Sequence, residues 1–561
     1  MELMDREEFV FELSKISWER VFLSLEIQTN YTGEAKFYLV HVDKLDLKKK
    51  VNVRTVKELE RFEIKPEKFE DQKYSFCYSV AALHGRTFLN NGTWKIVVEV
   101  EGREQLCYIT NEVAYQFPEL SRIFRYGRDK YAYTISFDVA TEYNKYLVPL
   151  IVSQFMMQNN GWTRRHYVQE ALTLKGKFKR IYMSMAVWSI KTYYKLLSSL
   201  HHYDGKNVLF MSETKDVLWG NLKYLDQNLK DRGLDKEYKI SYSFRKAVGS
   251  HSSILSWVKT VSMLASQDYI FVDDYVPIFG FLDPNPKTKL IQVWHAGEGF
   301  KAVGYCRFGK DGSPFPVGSC HKKYDYVLTA SDKLVKVFAE VFGIENEAFL
   351  PVGMARLDGF LDPQVIADFK EKFYAEYPQI KDKKVILFAP TYRGDGQKDA
   401  NYDYEWIDLP QIYEYCQKTD SVFLVKMHPF VRENLEIPEE YQDRIMDFKS
   451  FPNINDLYYI TDLLITDYSS NYYEYALMKR PVLFFTPARE YYELSRGVHR
   501  SVKECAPGKI CDSFDEMMEA LYKEDYEFEK IEQFVKDNFG SYDGKASEKA
   551  IDIILKPETH A

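Results

Sequence analysis

The 561-residue sequence predicts an α/β fold in which a β-rich module precedes two doubly wound parallel sheets, and three observations carry that expectation. The first is a series of short apolar runs beyond residue 205, each separated from the next by an amphipathic stretch. They are VLFMS from Val208, YIFVDD from Tyr269, LIQVWH from Leu290, YVLTAS from Tyr326, VILFAPT from Val385, VFLVKMHP from Val422, LLITDYSS from Leu463 and PVLFF from Pro481. Short buried runs alternating with helical segments are the signature of parallel sheets covered on both faces. The second observation is FLDPQVIADFKEKFYAEYPQIKDKK (360–384), a polar helical stretch that divides the runs into two groups. The third is the texture of the first 140 residues or so, where ERVFLSLEIQ, AKFYLVHV, YSFCYSVAAL and WKIVVEVEG alternate apolar with polar between turns such as LNNGT.

The expected organisation follows. Residues 1–145 form a β-sandwich-like accessory domain, 146–204 a basic, aromatic helical connector, 205–365 a first Rossmann-like domain and 366–561 a second. Two open sheets facing one another leave a cleft at the carboxyl ends of their strands, where ligands of such sheets bind. The pair is GT-B-like, an arrangement that fixes a cleft but no chemistry.

Composition excludes several classes. A net charge of -8 argues against a general nucleic-acid binder. The seven cysteines contain no CxxC pair, so neither a disulfide framework nor a zinc site is indicated. The acidic start MELMDREEFVFELSK lacks the apolar run of a signal peptide, and no window reaches the roughly 18 apolar residues that span a bilayer. The expectation is a cytoplasmic protein, free to lie on a membrane surface. From Arg164 to Lys195 the charge inverts: Arg164, Arg165, Lys175, Lys177, Lys179, Arg180, Lys191 and Lys195 face one acid, Glu170, and interleave with Phe178, Ile181, Tyr182, Met185, Trp188, Tyr193 and Leu196. That pattern suits an interfacial helix on anionic lipid. It equally suits a connector packing its apolar stripe on a neighbouring domain.

The polar motifs fall at strand ends. FAPTYRGDG closes one strand with Thr391 and Arg393, VKMHPF the next with His428, and ITDYSSNYYEYA a third with Asp467, Ser469 and Ser470, then Glu474 one turn into the following helix. Serines at a helix start offer hydroxyls beside free N–H groups, as a diphosphate requires, although Ser and Asp are ordinary N-caps too. Arg393 supplies a fork for phosphate oxygens, and Glu474 an acceptor for ribose hydroxyls. IQVWHAGEGFKAVGY carries Gly297, Gly299 and Ala302 at dinucleotide-fingerprint spacing. It follows two earlier strands instead of opening a domain, however, and His295 and Glu298 crowd the place where a pyrophosphate should approach. A dehydrogenase is therefore disfavoured. No Walker A sequence is present. Asp273 and Asp274 lack the intervening residue of a DxD metal motif and are read as strand-end hydrogen-bonding groups.

Taken together and in order, IQVWHAGEGFKAVGY, PVGMARLDGF, VILFAPTYRGDG, VKMHPF and LITDYSSNYYEYALMKRPVLFF resemble the CDP-glycerol/CDP-ribitol polyol-phosphotransferases of teichoic acid synthesis, most of all the poly(ribitol-phosphate) polymerase branch. The resemblance spans about residues 205 to 545. The chain departs from many family members in having WHAGEGFK where they carry threonine and proline.

The resemblance implies a teichoic acid polyol-phosphate transferase moving ribitol phosphate from CDP-ribitol to the terminal hydroxyl of an undecaprenyl-linked acceptor, with release of CMP. It implies an acceptor-side domain at 205–365, a CDP-binding domain at 366–561, and work at the cytoplasmic face of the membrane as a peripheral protein. His295 and His428 are the expected catalytic residues, His295 as base. Lys301, Arg393, Thr391, Asp467, Ser469, Ser470 and Glu474 are the expected substrate-binding set. No tightly bound cofactor or metal is expected, a Mg²⁺ ion arriving with the substrate being compatible with the sequence, as is a homo-oligomer. A CDP-glycerol glycerophosphotransferase, a GT-B glycosyltransferase using a nucleotide sugar, and a non-catalytic assembly factor are the alternatives. The retained His295, His428 and Arg393 speak against the last.

Overall fold

The computed structural model describes residues 9–47, 52–84, 87–127, 131–142, 146–159, 162–165, 174–246, 253–295, 297, 303–307, 319–394, 400–494, 498, 500–540 and 542–556. The amino-terminal module consists of a five-stranded and an eight-stranded sheet, nearly all antiparallel. Their inner faces share one core, in which Phe11, Leu25 and Phe76 of one sheet meet Phe37, Trp94 and Phe137 of the other. The expected boundary at residue 145 falls inside a hairpin: Tyr131–Glu142 pairs with Tyr146–Asn159 along its whole length. The sheet continues to Arg165 through the strand Trp162–Arg165. A run such as YLVPLIVSQFMM is apolar because it is a central strand, and the connector begins only after it.

The connector is a 27-residue helix, Leu174–Leu200. Its carboxyl half docks through buried Val187 and Tyr194 on the first parallel domain, where the Tyr194 hydroxyl accepts from the backbone N–H of Asn285 at 2.9 Å. Its amino half leaves Leu174, Phe178, Ile181, Tyr182, Met185 and Trp188 exposed, Phe178 at 71% and Trp188 at 66%. Spaced in threes and fours, these residues form one stripe along the helix. Helix Ile254–Leu264 lies alongside, joined by a 2.9 Å contact between the Tyr193 hydroxyl and Ser262 Oγ, and it too exposes Ile254 and Leu255. No helix among the described residues is long and apolar enough to cross a membrane.

Among the described residues, each of the two parallel sheets has six strands. In the first, Asn207–Ser212 is flanked by Lys239–Phe244 and Tyr269–Val272, and the order continues through Lys289–Gln292, Tyr326–Leu328 and Phe349–Leu350. In the second, Lys384–Phe388 lies between Ser421–Val425 and Leu463–Thr466, with Ile445–Asp447 at one edge and Val482–Phe485 then Lys509–Cys511 at the other. Strand order thus reverses beside Asn207–Ser212 in one sheet and beside Lys384–Phe388 in the other, and the carboxyl ends at such reversals are where doubly wound sheets take ligands. Between the sheets runs the helix Pro363–Glu376, capped by the Asp362 carboxylate on the N–H of Gln364. The expected division at 365/366 lies within it. The final helix, Ala546–Leu555, crosses back to the first sheet, burying Ala550, Ile551 and Ile554 against Val208, Phe210 and Leu225. The chain's end therefore belongs by packing to the first parallel domain.

Candidate active site

At the first sheet the strand Lys289–Gln292 ends in a turn that presents His295. Trp294 adopts a left-handed backbone with φ of 47°, a conformation costing a non-glycine residue on the order of 1 kcal/mol or more. The surroundings hold it there. The buried Gln292 side chain accepts from the Trp294 N–H at 2.9 Å and donates to the Tyr324 hydroxyl at 3.0 Å. Asn221 Nδ2 donates to the carbonyls of Val293 at 3.0 Å and Trp294 at 2.8 Å.

The imidazole that follows is 54% exposed, and its Nδ1 sits 3.2 Å from the backbone carbonyl oxygen of Asp273. A carbonyl only accepts, so this nitrogen carries the proton and Nε2 is left as the basic nitrogen. The Asp274 carboxylate lies 4.0 Å from the same Nδ1. A histidine satisfied by a carbonyl could have been a core residue; with half its surface open, this one is held yet exposed.

Asp273 itself is buried, and its Oδ1 has no hydrogen-bond partner. Burial pushes its carboxyl up to about 6 from the usual 3.8. A raised carboxyl favours folding below its unfolded value, and that contribution is lost as pH rises through the folded value. The substitution D273N removes the cost of ionising it. It should stabilise the protein by about 2 kcal/mol at pH 7.5, with a gain that fades toward pH 4. Paired thermal melts across that range check this, and an equal Tm for both proteins at pH 7.5 would contradict it.

At the second sheet, three strand ends are tied together from within. Asp467, fully buried, accepts the backbone N–H of Thr391 at 2.7 Å through Oδ1 and Arg393 Nη1 at 2.8 Å through Oδ2. The Arg393 guanidinium lies within 4.8–5.5 Å of the ring centroids of Tyr492, Trp406, Tyr468 and Tyr402. Burial alone would lower its pKa; Asp467 and the tyrosines more than offset this and hold it above the usual arginine value. One arm of the fork expected to face phosphate, Nη1, is thus engaged by a carboxylate inside an aromatic box while Nη2 is buried without a hydrogen-bond partner, and Thr391 and Asp467 belong to the same clamp. Physically, a guanidinium this close to a fully buried aspartate is the ion that makes the aspartate tolerable.

His428 follows the strand Ser421–Val425, with its ring 4.8 Å from Tyr392 and 4.7 Å from Phe430. Its Nδ1 accepts the backbone N–H of Phe430 at 3.2 Å. The neutral ring therefore carries its proton on Nε2, the opposite tautomer to His295. The two neutral rings thus hold opposite tautomers.

Ser469 and Ser470, both half-buried, precede the short helix Asn471–Tyr475, and Ser469 Oγ accepts the N–H of Asn471 at 3.4 Å. Glu474, expected beside a ribose, is buried and paired with Arg356 of the first domain. Burial raises its pKa and Arg356 pulls it back. Lys301, together with Glu298 and Gly299, lies outside the described residues.

The two sheet ends meet at Gly297. A Cβ built there would stand 2.3 Å from Cδ1 of Tyr473 and 2.9 Å from the Met354 sulfur. The turn bearing His295 thus packs backbone-first on the helix headed by Ser469 and Ser470, which only glycine allows.

Residues 193–556 match the family described as CDP-Glycerol:Poly(glycerophosphate) glycerophosphotransferase. The chain belongs to that family. Along 96% of its length this glycerophosphotransferase-family protein is 31% identical to the teichoic acid ribitol-phosphate polymerase TarL of Staphylococcus aureus, 98% of which is covered. It is 34% identical to the ribitol-phosphate polymerase TarK of the same organism, over 82% of this chain and 89% of that one. Among solved structures, the wall teichoic acid polymerase TagF aligns with a TM-score of 0.52 at 22% identity, covering 68% of this chain and 96% of that one. At that identity the likeness speaks for the fold, the paired α/β sheets described above.

Three residues that pack around the turn bearing His295 carried no signal in the sequence. Gln292, Asn221 and Tyr473 read as ordinary strand, helix and aromatic positions. Arg356 was visible within PVGMARLDGF, but nothing local announced its partner, 118 residues away.

Proposed function

We propose that this protein transfers ribitol phosphate from CDP-ribitol to the terminal hydroxyl of a lipid-linked teichoic acid acceptor and releases CMP. The observation that carries the reading is similarity to ribitol-phosphate polymerases along nearly the whole chain, the β-rich module included. The two histidine tautomers supply it with chemistry. His295 Nε2 takes the proton of the acceptor hydroxyl as its oxygen bonds to the phosphorus bearing the ribitol; the bond from that phosphorus to the CMP oxygen breaks, and CMP departs with the electron pair. The imidazolium so formed shares its Nδ1 proton with the Asp273 carbonyl beside the Asp274 carboxylate. His428, protonated on Nε2, donates to a phosphate oxygen as charge develops there, and Ser469 and Ser470 add hydroxyls for the diphosphate. Thr391, Asp467 and Arg393 act by holding the strand ends, with Lys301 completing the phosphate contacts.

Ligand protection tests the nucleotide class. CDP-ribitol should raise Tm more than CDP-glycerol at equal concentration, and UDP-sugars should leave it unchanged. Protection by UDP-sugars alone would instead favour a glycosyltransferase.

The reading includes docking on the cytoplasmic face of the membrane through the helix Leu174–Leu200, with the β-rich module as an accessory domain. Its exposed apolar stripe runs along a segment rich in lysine and arginine, the combination that anionic lipid attracts at about 1 kcal/mol per basic residue. The double substitution F178E/W188E should lower co-sedimentation with phosphatidylglycerol vesicles by about tenfold or more, with turnover on a soluble acceptor analogue retained. Unchanged co-sedimentation would remove the helix from the membrane contact.

A further inference from the structure

PVGMARLDGF joins the two halves of the site. Arg356 stands in the 3₁₀ turn Ala355–Leu357 of the first parallel domain, and its Nη2 pairs with Glu474 of the second. Glu474 lies in the short helix that Ser469 and Ser470 precede, next to Tyr473, on which Gly297 packs. The backbone N–H of Arg356 donates to Asn221 Oδ1 at 3.0 Å. Asn221, 5% exposed, sends its amide protons to the carbonyls of Val293 and Trp294, the two residues before His295. A continuous polar chain therefore runs from the nucleotide-side helix through Glu474, Arg356 and Asn221 to the left-handed turn at Trp294.

Stability alone does not account for this chain. A buried ion pair is often no better than an apolar pair of the same shape, and Arg356 Nε is buried without any partner. What an apolar pair could not do is fix direction. Arg356 is held at both ends, by side chain to one domain and by backbone to the other, and Asn221 uses both its oxygen and its nitrogen on groups that face different elements. Such a chain defines how far the His295 turn stands from the helix start, a distance packing on Gly297 limits but does not orient.

We propose that Arg356 and Asn221 are positioning residues that hold His295 in register with the nucleotide-side helix before substrates bind. Neither touches substrate. For its kinetic readout the inference rests on the phosphotransfer reading above, and for its structural readout it does not.

The test uses the full-length substitutions R356K, which keeps a charge for Glu474 but loses the planar fork, and N221A, with the double variant. Each single variant should melt within a few degrees of the parent and bind CMP within about threefold, yet lose on the order of 10²-fold in kcat with CDP-ribitol, the scale of a misplacement of about 1 Å. The double variant should be no slower than the slower single, because both act through one chain. In R356K without substrate, amide exchange should accelerate together at 291–295 and at 470–475. Unchanged kcat in either single variant, losses that multiply in the double, losses that vanish when assayed below a lowered Tm, or exchange that changes on one side alone would each overturn the proposal. Should the parent turn over no CDP-polyol, the phosphotransfer reading fails, and the exchange experiment still decides the positioning role.

Discussion

Replacing His295 by glutamine lowers kcat with CDP-ribitol by about 10²–10⁴-fold while KM for the nucleotide moves little, the scale expected on losing a positioned general base. The effect follows from the geometry of His295. Its Nδ1 is committed to the Asp273 carbonyl at 3.2 Å, and its ring is 54% exposed, so the basic nitrogen is defined and accessible. Glutamine can occupy the space and hydrogen-bond, but it cannot accept a proton at neutral pH. The contrast with His428 sharpens the test. A donor to phosphate acts on binding as well as on charge development, so H428Q should raise KM as well as lower kcat. Steady-state kinetics on both variants checks the division of labour. A H295Q enzyme with parental kcat would remove the base, and identical kinetic signatures for the two variants would remove the difference in role.

The second large effect is structural. Replacing Asp467 by asparagine destabilises the protein by about 3–5 kcal/mol, because it leaves a buried guanidinium without its counter-ion. Asn Oδ1 can still accept the Thr391 N–H, but its NH₂ would face the Arg393 NH₂ across a contact of 2.8 Å. The reciprocal substitution R393M, which leaves Asp467 buried and unpaired, should cost a comparable amount, and the double variant D467N/R393M less than the sum of the two. Chemical denaturation of the three proteins measures this, with the transition of the second parallel domain as the readout. Were Arg393 a phosphate ligand at the surface of the cleft, R393M would instead weaken CMP binding and leave stability intact.

These expectations show where sequence was informative. All eight apolar runs coincide with strands, because a strand covered on both faces must be apolar throughout. The four parallel strands that the sequence did not reveal are Lys239–Phe244, Phe349–Leu350, Ile445–Asp447 and Lys509–Cys511, and each is the edge of its sheet. An edge strand pairs on one side, can be two or three residues long, and tolerates Lys and Ser, so it leaves no run to read. The site divides along similar lines. The strand-end positions of His295, His428 and the Ser469–Ser470 pair were legible because a strand end followed by a polar residue is a local pattern. The partners that Arg393 and Glu474 find in the structure were not legible, since Asp467 lies 74 residues from the one and Arg356 118 residues from the other. Periodicity reports which face a residue occupies, and carries nothing about which charge meets it there. For the same reason the spacing of Gly297, which matched a dinucleotide fingerprint that was disfavoured, did not announce Tyr473 as its neighbour.

One reaction mixture tests the transfer most directly: purified protein, CDP-ribitol, and a lipid-linked acceptor in phosphatidylglycerol-containing vesicles, followed by CMP release and by ³¹P detection of new phosphodiesters. CMP appearing in step with phosphodiester, faster with CDP-ribitol than with CDP-glycerol and slowed by about 10²-fold or more in H295Q, is the result predicted. No phosphodiester from either CDP-polyol, or transfer from a nucleotide sugar in their place, would contradict it.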